Sequence, residues 1–185
     1  MIFVDGENLT LRAQKLAKNR GVTLKENDFW RKDILFWRGN AIPTYNMFLK
    51  SSLNIPYDLA HTAIRSYYYT ALSADDVKLK EVSENLRRLR FDPRVFRKVC
   101  EKSKGVDISL SRDMLSHAYQ DHYDVAILFA GDGDYLPLID EVKRCGKVIC
   151  VCFFTGDDSG LSDDVKLSAD YFVDINDFFL DRSRA

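Results

Sequence analysis

Apolar positions along the chain fall into short unbroken runs separated by amphipathic stretches. Met1-Ile2-Phe3-Val4 is closed by Asp5, Val125 to Phe129 is followed by Ala130-Gly131-Asp132, and Lys147 to Phe154 is a third run. Runs of this length bounded by Gly and Asp predict strands buried on both faces. Between them the period becomes helical. Leu79, Val82, Leu86 and Leu89 recur at helical spacing within 74–90, with Ser73 as the expected cap. Tyr135, Leu138, Ile139 and Val142 do the same within 135–144, a helix that Gly146 ends. Helices are also expected over 9–19 and 107–120, the latter turning Ile108, Leu115, Ala118 and Tyr119 inward. Further strands are expected over 63–71, from Val95 to Cys100 after a break at Asp92-Pro93, and at an edge from Tyr171 to Ile175. Repeated strand–helix units predict an α/β fold with a central, mostly parallel sheet covered by helices on both faces. Two stretches resist the scheme. Residues 21–55 carry Trp30, Phe36, Trp37 and Tyr45 without a period, leaving helices and a hairpin both open; 155–168 is polar and is expected to be a mobile loop near the strand ends.

At 185 residues the chain fits one domain, 1–185, large enough for a real core. A net charge of −1 offers no global attraction for nucleic acid, so a polyanion must be held by a local patch or a metal. No apolar stretch is long enough to span a bilayer and no signal-like leader precedes the first strand, so a cytoplasmic location is expected. Cys100, Cys145, Cys150 and Cys152 lack paired zinc spacing and read as free thiols, with Cys150 and Cys152 on one strand face.

Four aspartates add the chemistry: Asp5 ends the first strand, Asp107 follows Lys104-Gly105-Val106, and Asp132 and Asp134 flank Gly133 after the strand at 124–130. Carboxyl ends of neighbouring strands in an open α/β sheet share one crevice, where ligands bind. Carboxylates gathered there repel one another unless a hard divalent cation draws them together. Mg²⁺ or Mn²⁺ so held neutralises a phosphodiester and makes a water nucleophilic near neutral pH. Asp5 and Asp132, on rigid strand ends, are the better candidates for direct ligation. Each aspartate alone also has a structural reading, as a turn residue or helix cap. Asp113 lies roughly 240° around an ideal helix from Asp107 and is read as supporting or structural, whereas Ser111, one turn on, is better placed to face the site.

The middle of the chain is basic, with Arg87, Arg88, Arg90, Arg94, Arg97, Lys98, Lys102 and Lys104. A solvated face is the plain reading; the functional one has Lys102 and Lys104 guide a phosphate backbone toward Asp107. Of Tyr67, Tyr68 and Tyr69 at least one should be buried, leaving others free to stack on bases. His61, His117 and His122 show no shared spacing, and no nucleophilic triad is supported.

Asp5-Gly6-Glu7-Asn8, Lys104-Gly105-Val106-Asp107 with Asp113, Gly131-Asp132-Gly133-Asp134-Tyr135, Gly146-Lys147-Val148 and Ala169 to Asp174 together resemble the NYN domain, most closely its LabA-like branch within the PIN-like nucleases. The likeness covers 1–8 and 104–175, is loose over 63–100 and absent from most of 21–55; Ala130 stands where members often carry a small hydroxyl residue. It implies a Rossmann-like, PIN-like three-layer fold and metal-dependent cleavage of RNA, with Asp5, Asp107, Asp132 and Asp134 as the acidic site and Asn8 and Asp113 in support. The resulting expectation is an endoribonuclease using Mg²⁺ or Mn²⁺ on single-stranded RNA, with no membrane partner and homodimerisation left open. Two alternatives stand beside it. One is an RNA- or protein-binding module that keeps the acidic cluster for structure. The other is a haloacid-dehalogenase-like phosphatase, disfavoured because Glu7 stands where its second aspartate belongs and Tyr135-Leu136 where its later acidic pair belongs. Replacing Lys102 and Lys104 together by Ala should weaken RNA binding and flatten the log–log salt slope by about 1.4–1.8 if both neutralise single-strand phosphates. An unchanged slope across a salt series returns both lysines to a solvated face.

Overall fold

In this computed structural model, which describes residues 1–24, 30–37, 64–98 and 105–176, strands and helices alternate from the start of the chain. The elements are β1 (Ile2–Asp5), α1 (Gly6–Asn19), β2 (Trp30–Arg31), β3 (Leu35–Phe36), β4 (Ser66–Leu72), α2 (Asp76–Arg88) and β5 (Asp92–Arg97). Then follow α3 (Val106–Tyr119), β6 (Val125–Phe129), a 3₁₀ turn (Gly133–Tyr135), α4 (Leu136–Arg144), β7 (Val148–Phe153), α5 (Asp163–Ser168) and β8 (Tyr171–Asp174). Six strands form one sheet in the order β5-β4-β1-β6-β7-β8, every pairing parallel. Numbered by chain order among themselves, these strands run 3-2-1-4-5-6. The winding therefore reverses between β1 and β6, and a crevice opens beyond their carboxyl ends.

The period-two alternation of the strands feeds two cores. Ile2, Val4, Tyr68, Leu72, Cys150 and Cys152 face one side, under α1, α2 and the β2–β3 hairpin. Phe3, Tyr67, Tyr69, Leu128, Ile149 and Val151 face the other, under α3 and α4. The two thiols do share a face, with sulfurs 3.9 Å apart.

Several sequence expectations need correction. Asp75 rather than Ser73 caps α2, accepting the Lys78 N–H at 2.8 Å. Asp92 and Pro93 open β5 instead of interrupting it; β5 is an edge strand, where proline's missing N–H costs no ladder bond. The remainder of that predicted strand, 99–100, lies outside the described residues. Helix α3 turns Val106, Leu110, Met114 and Ala118 inward, a strict four-residue row, leaving Ile108 and Tyr119 exposed. Tyr67, Tyr68 and Tyr69 are all buried, so none is free to stack on a base. Part of the aromatic stretch is a hairpin: β2 pairs antiparallel with β3, and Trp37 beyond it packs edge-on against Tyr68, Phe91 and Phe129. The expected loop at 155–168 contains α5 and is tied back by the Ser162 N–H to the Gly131 carbonyl at 2.8 Å. No helix among the described residues is long and apolar enough to cross a membrane.

Gly6, directly after Asp5, is set by close approach. A Cβ there would overlap the Tyr68 ring, which is fully buried and donates its hydroxyl to the Phe36 carbonyl at 3.1 Å. Gly6→Ala should destabilise the protein by about 1–3 kcal/mol through overpacking, measured by denaturant unfolding. A smaller cost would mean that the ring can yield.

Candidate active site

Asp5 is the last residue of β1 and the N-cap of α1, and both of its oxygens are engaged. Oδ1 accepts the Asn8 N–H at 3.0 Å, which caps the helix. Oδ2 accepts the Tyr135 hydroxyl at 2.8 Å. That same hydroxyl lies 3.2 Å from Asp107 Oδ1 in the first turn of α3. Tyr135 is held by the 3₁₀ turn that follows β6, so one buried phenol joins carboxylates from two segments about a hundred residues apart.

Asp132 opens that turn, its Oδ1 accepting the Asp134 N–H at 3.2 Å, and both aspartates are exposed. Their charges reach Asp107. Burial holds the Asp107 carboxyl above the usual carboxylate range, and Asp132, Glu7 and Asp134 add to that, against the Tyr135 hydrogen bond. Asp5 is 4% exposed; burial pushes its pKa up to about 7, with Asp107 and Glu7 raising it further while the Asn8 and Tyr135 hydrogen bonds pull it down. Burial and the two carboxylates likewise push the Tyr135 phenol upward.

The donors are all oxygens, which suits a hard cation. Two buried acceptors beside Asp5, Glu7 Oε2 and Asn8 Oδ1, have no hydrogen-bond partner among the described residues. The chemistry of the donor set and these orphaned oxygens therefore fit a divalent metal. The spacing is looser: among the described residues no three His, Cys, Asp or Glu side chains lie close enough together to hold one ion.

The structure thus joins Asp5 to Asp107 through the Tyr135 hydroxyl and brings Asp132 and Asp134 within electrostatic reach of Asp107. The capping readings divide: Asp5 is a cap as well as a member of the cluster, Gly105 rather than Asp107 stands at the N-cap of α3, and Asp132 rather than Asp134 makes the turn bond. Asn8 contributes its backbone N–H to Asp5. Ser111 is half-buried and makes no hydrogen bond to these carboxylates. Asp113 belongs to a different network, accepting from the Tyr69 hydroxyl at 3.1 Å, from Arg94 Nε at 3.4 Å and from Arg112. Burial raises its carboxyl, but the hydrogen bonds from Arg112 and Tyr69 and the two arginine charges outweigh that and lower it. Lys102 and Lys104 lie outside the described residues, as does His61. His117 and His122 are neighbours after all, their Nδ1 atoms 3.0 Å apart, because the turn after α3 folds back on the helix.

Sequence reasoning did not single out three residues. Tyr135 read as one of four apolar helix positions, although it stands inside the acidic motif. Glu7 was visible two residues after Asp5, but nothing in the sequence shows that its Oε1 pairs with Lys98. Lys98, just past β5, read as one member of a basic run.

The NYN domain family matches residues 1–176, and the chain belongs to it. A crystal structure of a protein of unknown function from Vibrio parahaemolyticus is similar, with a TM-score of 0.59 and 20% identity, covering 97% of this chain and 93% of that one. The likeness shows a shared fold. No curated protein matches. Membership carries a nuclease-like function at the coarse level.

The burial of Asp5 has a pH signature. A raised carboxyl pKa means that the folded chain binds this proton more tightly than the unfolded one. The Asp5 contribution to stability is therefore lost as pH rises from about 4 to about 7 and is constant above that. In chelator, the stability of Asp5→Asn relative to the parent should rise over that window, by up to a few kcal/mol, and then level off. A difference that stays flat between pH 4 and 8 would show that the Asp5 charge is solvated.

Proposed function

We propose that the protein is a metal-dependent ribonuclease of the LabA-like branch of the PIN-like superfamily, cleaving phosphodiester bonds of single-stranded RNA. The observation that supports this most directly is the placement of Asp5 and Asp107 on one tyrosine hydroxyl at the switch point of the sheet, with Asp132 and Asp134 at its rim. Asp5, Asp107, Asp132 and Asp134 would hold Mg²⁺ or Mn²⁺, some through water, since Mg²⁺ takes only one or two carboxylates directly. When bound, the cation supplies neutralisation of the phosphodiester and a lowered pKa for a coordinated water. Tyr135 orients Asp5 and Asp107 toward each other. The exposed Asp132 and Asp134 meet the incoming substrate. Asp107, with its raised proton affinity, is suited to take up the proton of the attacking water. The reading places the protein in the cytoplasm as a single domain acting on RNA.

A second reading, an RNA-binding module that does not cleave, draws on the spacing of the acidic side chains, no three of which share one ion site among the described residues. Labelled single-stranded RNA incubated with Mn²⁺, Mg²⁺ or chelator separates the two. Asp132→Asn should abolish metal-dependent cleavage and weaken Mn²⁺ binding in calorimetry while leaving the metal-free fold as stable or slightly more so, because one repelling charge is gone. RNA cut by this variant as fast as by the parent removes Asp132 from the machinery. RNA bound but uncut by the parent in either metal selects the second reading, and phosphate released only from small monoesters selects a phosphatase.

A further inference from the structure

The opposite edge of the sheet carries a cleft of about 420 Å³ that the acidic site does not involve. Sites for small molecules generally occupy roughly 300–1,000 Å³, so this one has room for a nucleotide. Its walls come from three places: Arg65 precedes β4, Arg87 lies in the last turn of α2, and Arg90 sits in the turn that leads through Phe91 to Asp92 at the start of β5. Arg65, Arg87 and Arg90 are exposed, and none forms an ion pair with a described residue. The acid in the cleft, Asp92, is instead engaged by Arg94 Nη1 at 2.8 Å.

Arg90 is the informative residue. Helix α2 ends in a Schellman motif, with the Phe91 N–H donating to the Leu86 carbonyl at 3.0 Å and the Arg90 N–H to the Arg87 carbonyl at 2.9 Å. The motif puts Arg90 at φ +66°, a left-handed conformation that glycine adopts freely and a residue with a Cβ does not. The comparable turn after α3 uses Asp121 at φ 58°, a residue type that tolerates this region. The helix dipole favours cations at the end of α2, which accounts for Arg87, but it requires neither Arg65 nor an arginine at the glycine position. Three arginines without an ion-pair partner among the described residues line one cleft, and a guanidinium fork suits a phosphate's oxygens.

We propose that this cleft binds a phosphate ester, supplied either by a free nucleotide or by the backbone of an RNA strand, independently of the acidic site. Calorimetry of the full chain in chelator uses inorganic phosphate, adenosine 5′-monophosphate and a short oligouridylate as probes. Arg90→Gly removes the guanidinium and relieves the left-handed strain at once, so its thermal midpoint should rise while its affinity falls roughly tenfold or more, as expected for loss of a charge-assisted bond. Arg87→Gln should lose affinity similarly. A mononucleotide that binds at least as tightly as the oligomer identifies a nucleotide site. A tighter oligomer, whose salt slope drops by about 0.7 in Arg90→Gly, identifies a strand contact. Asp132→Asn should bind inorganic phosphate and adenosine 5′-monophosphate in chelator as the parent does, so failure here is separable from failure of the nuclease reading. Parent-like affinity in Arg90→Gly or Arg87→Gln, or no binding of any probe by the parent, overturns the proposal.

Discussion

The hydroxyl of Tyr135 between the carboxylates of Asp5 and Asp107 ties the central strand to both halves of the chain. Asp5 ends β1, which pairs with β4 on one side and β6 on the other, and its second oxygen caps α1. Tyr135 belongs to the turn after β6, and Asp107 to the start of the helix that covers the opposite core from α1. Four elements therefore meet at one proton and three oxygens. Burying a carboxylate there is unfavourable, and its pKa rises accordingly. The fold supports that cost with two dense cores, since residues 2–4 are each 2% exposed or less.

The near-zero net charge conceals local clusters of each sign, although Asp92, Asp124 and Asp170 also stand at the amino ends of β5, β6 and β8. Carboxylates collect at the carboxyl ends of β1 and β6: Asp107 and Glu7 act on Asp5, and Asp132, Glu7 and Asp134 act on Asp107. At the amino ends, Arg65, Arg87 and Arg90 line a cleft without acid partners among the described residues. A polyanion would be repelled by the acidic cluster unless cations intervene, whereas the arginines of the cleft favour it locally. Such a distribution is consistent with metal-dependent work at one edge and phosphate recognition at the other. The ion pair of Lys98 with Glu7 is an exception, a cation placed within the acidic edge.

Architecture and the main acidic positions were legible because buried parallel strands must be continuous apolar runs, and a carboxylate that closes such a run stands at the sheet's edge. That logic located Asp5 and the Asp132–Asp134 turn, and it found the buried helix positions Leu138, Ile139 and Val142 and the buried Tyr135, which lies in the 3₁₀ turn just before the helix. It failed where local signals competed. Ser73 and Asp75 are both good caps, and only the path of the chain out of β4 selects Asp75. Pro93 looked like a break because sequence cannot distinguish an edge strand from a central one. The phase of α3 was misjudged in part: Ala118 is buried as expected, but Val106, Leu110 and Met114 complete the inward row while the larger Ile108 and Tyr119 face solvent.

By itself, the sequence determined the α/β alternation, the burial of the apolar runs at 1–4, 125–129 and 147–154, and which residue types stand at strand ends. These properties depend on spacing within ten or fifteen residues, over which local geometry dictates where side chains point. Only the tertiary structure decided that Tyr135 faces Asp5 and Asp107, that Glu7 meets Lys98, that Asp113 joins Tyr69 and Arg94 rather than the acidic cluster, and that Trp37 closes a core. Each of these contacts joins elements from distant parts of the chain. Such contacts depend on the order in which strands lie side by side, and the parallel order β5-β4-β1-β6-β7-β8 is a property of the packed sheet rather than of any segment within it.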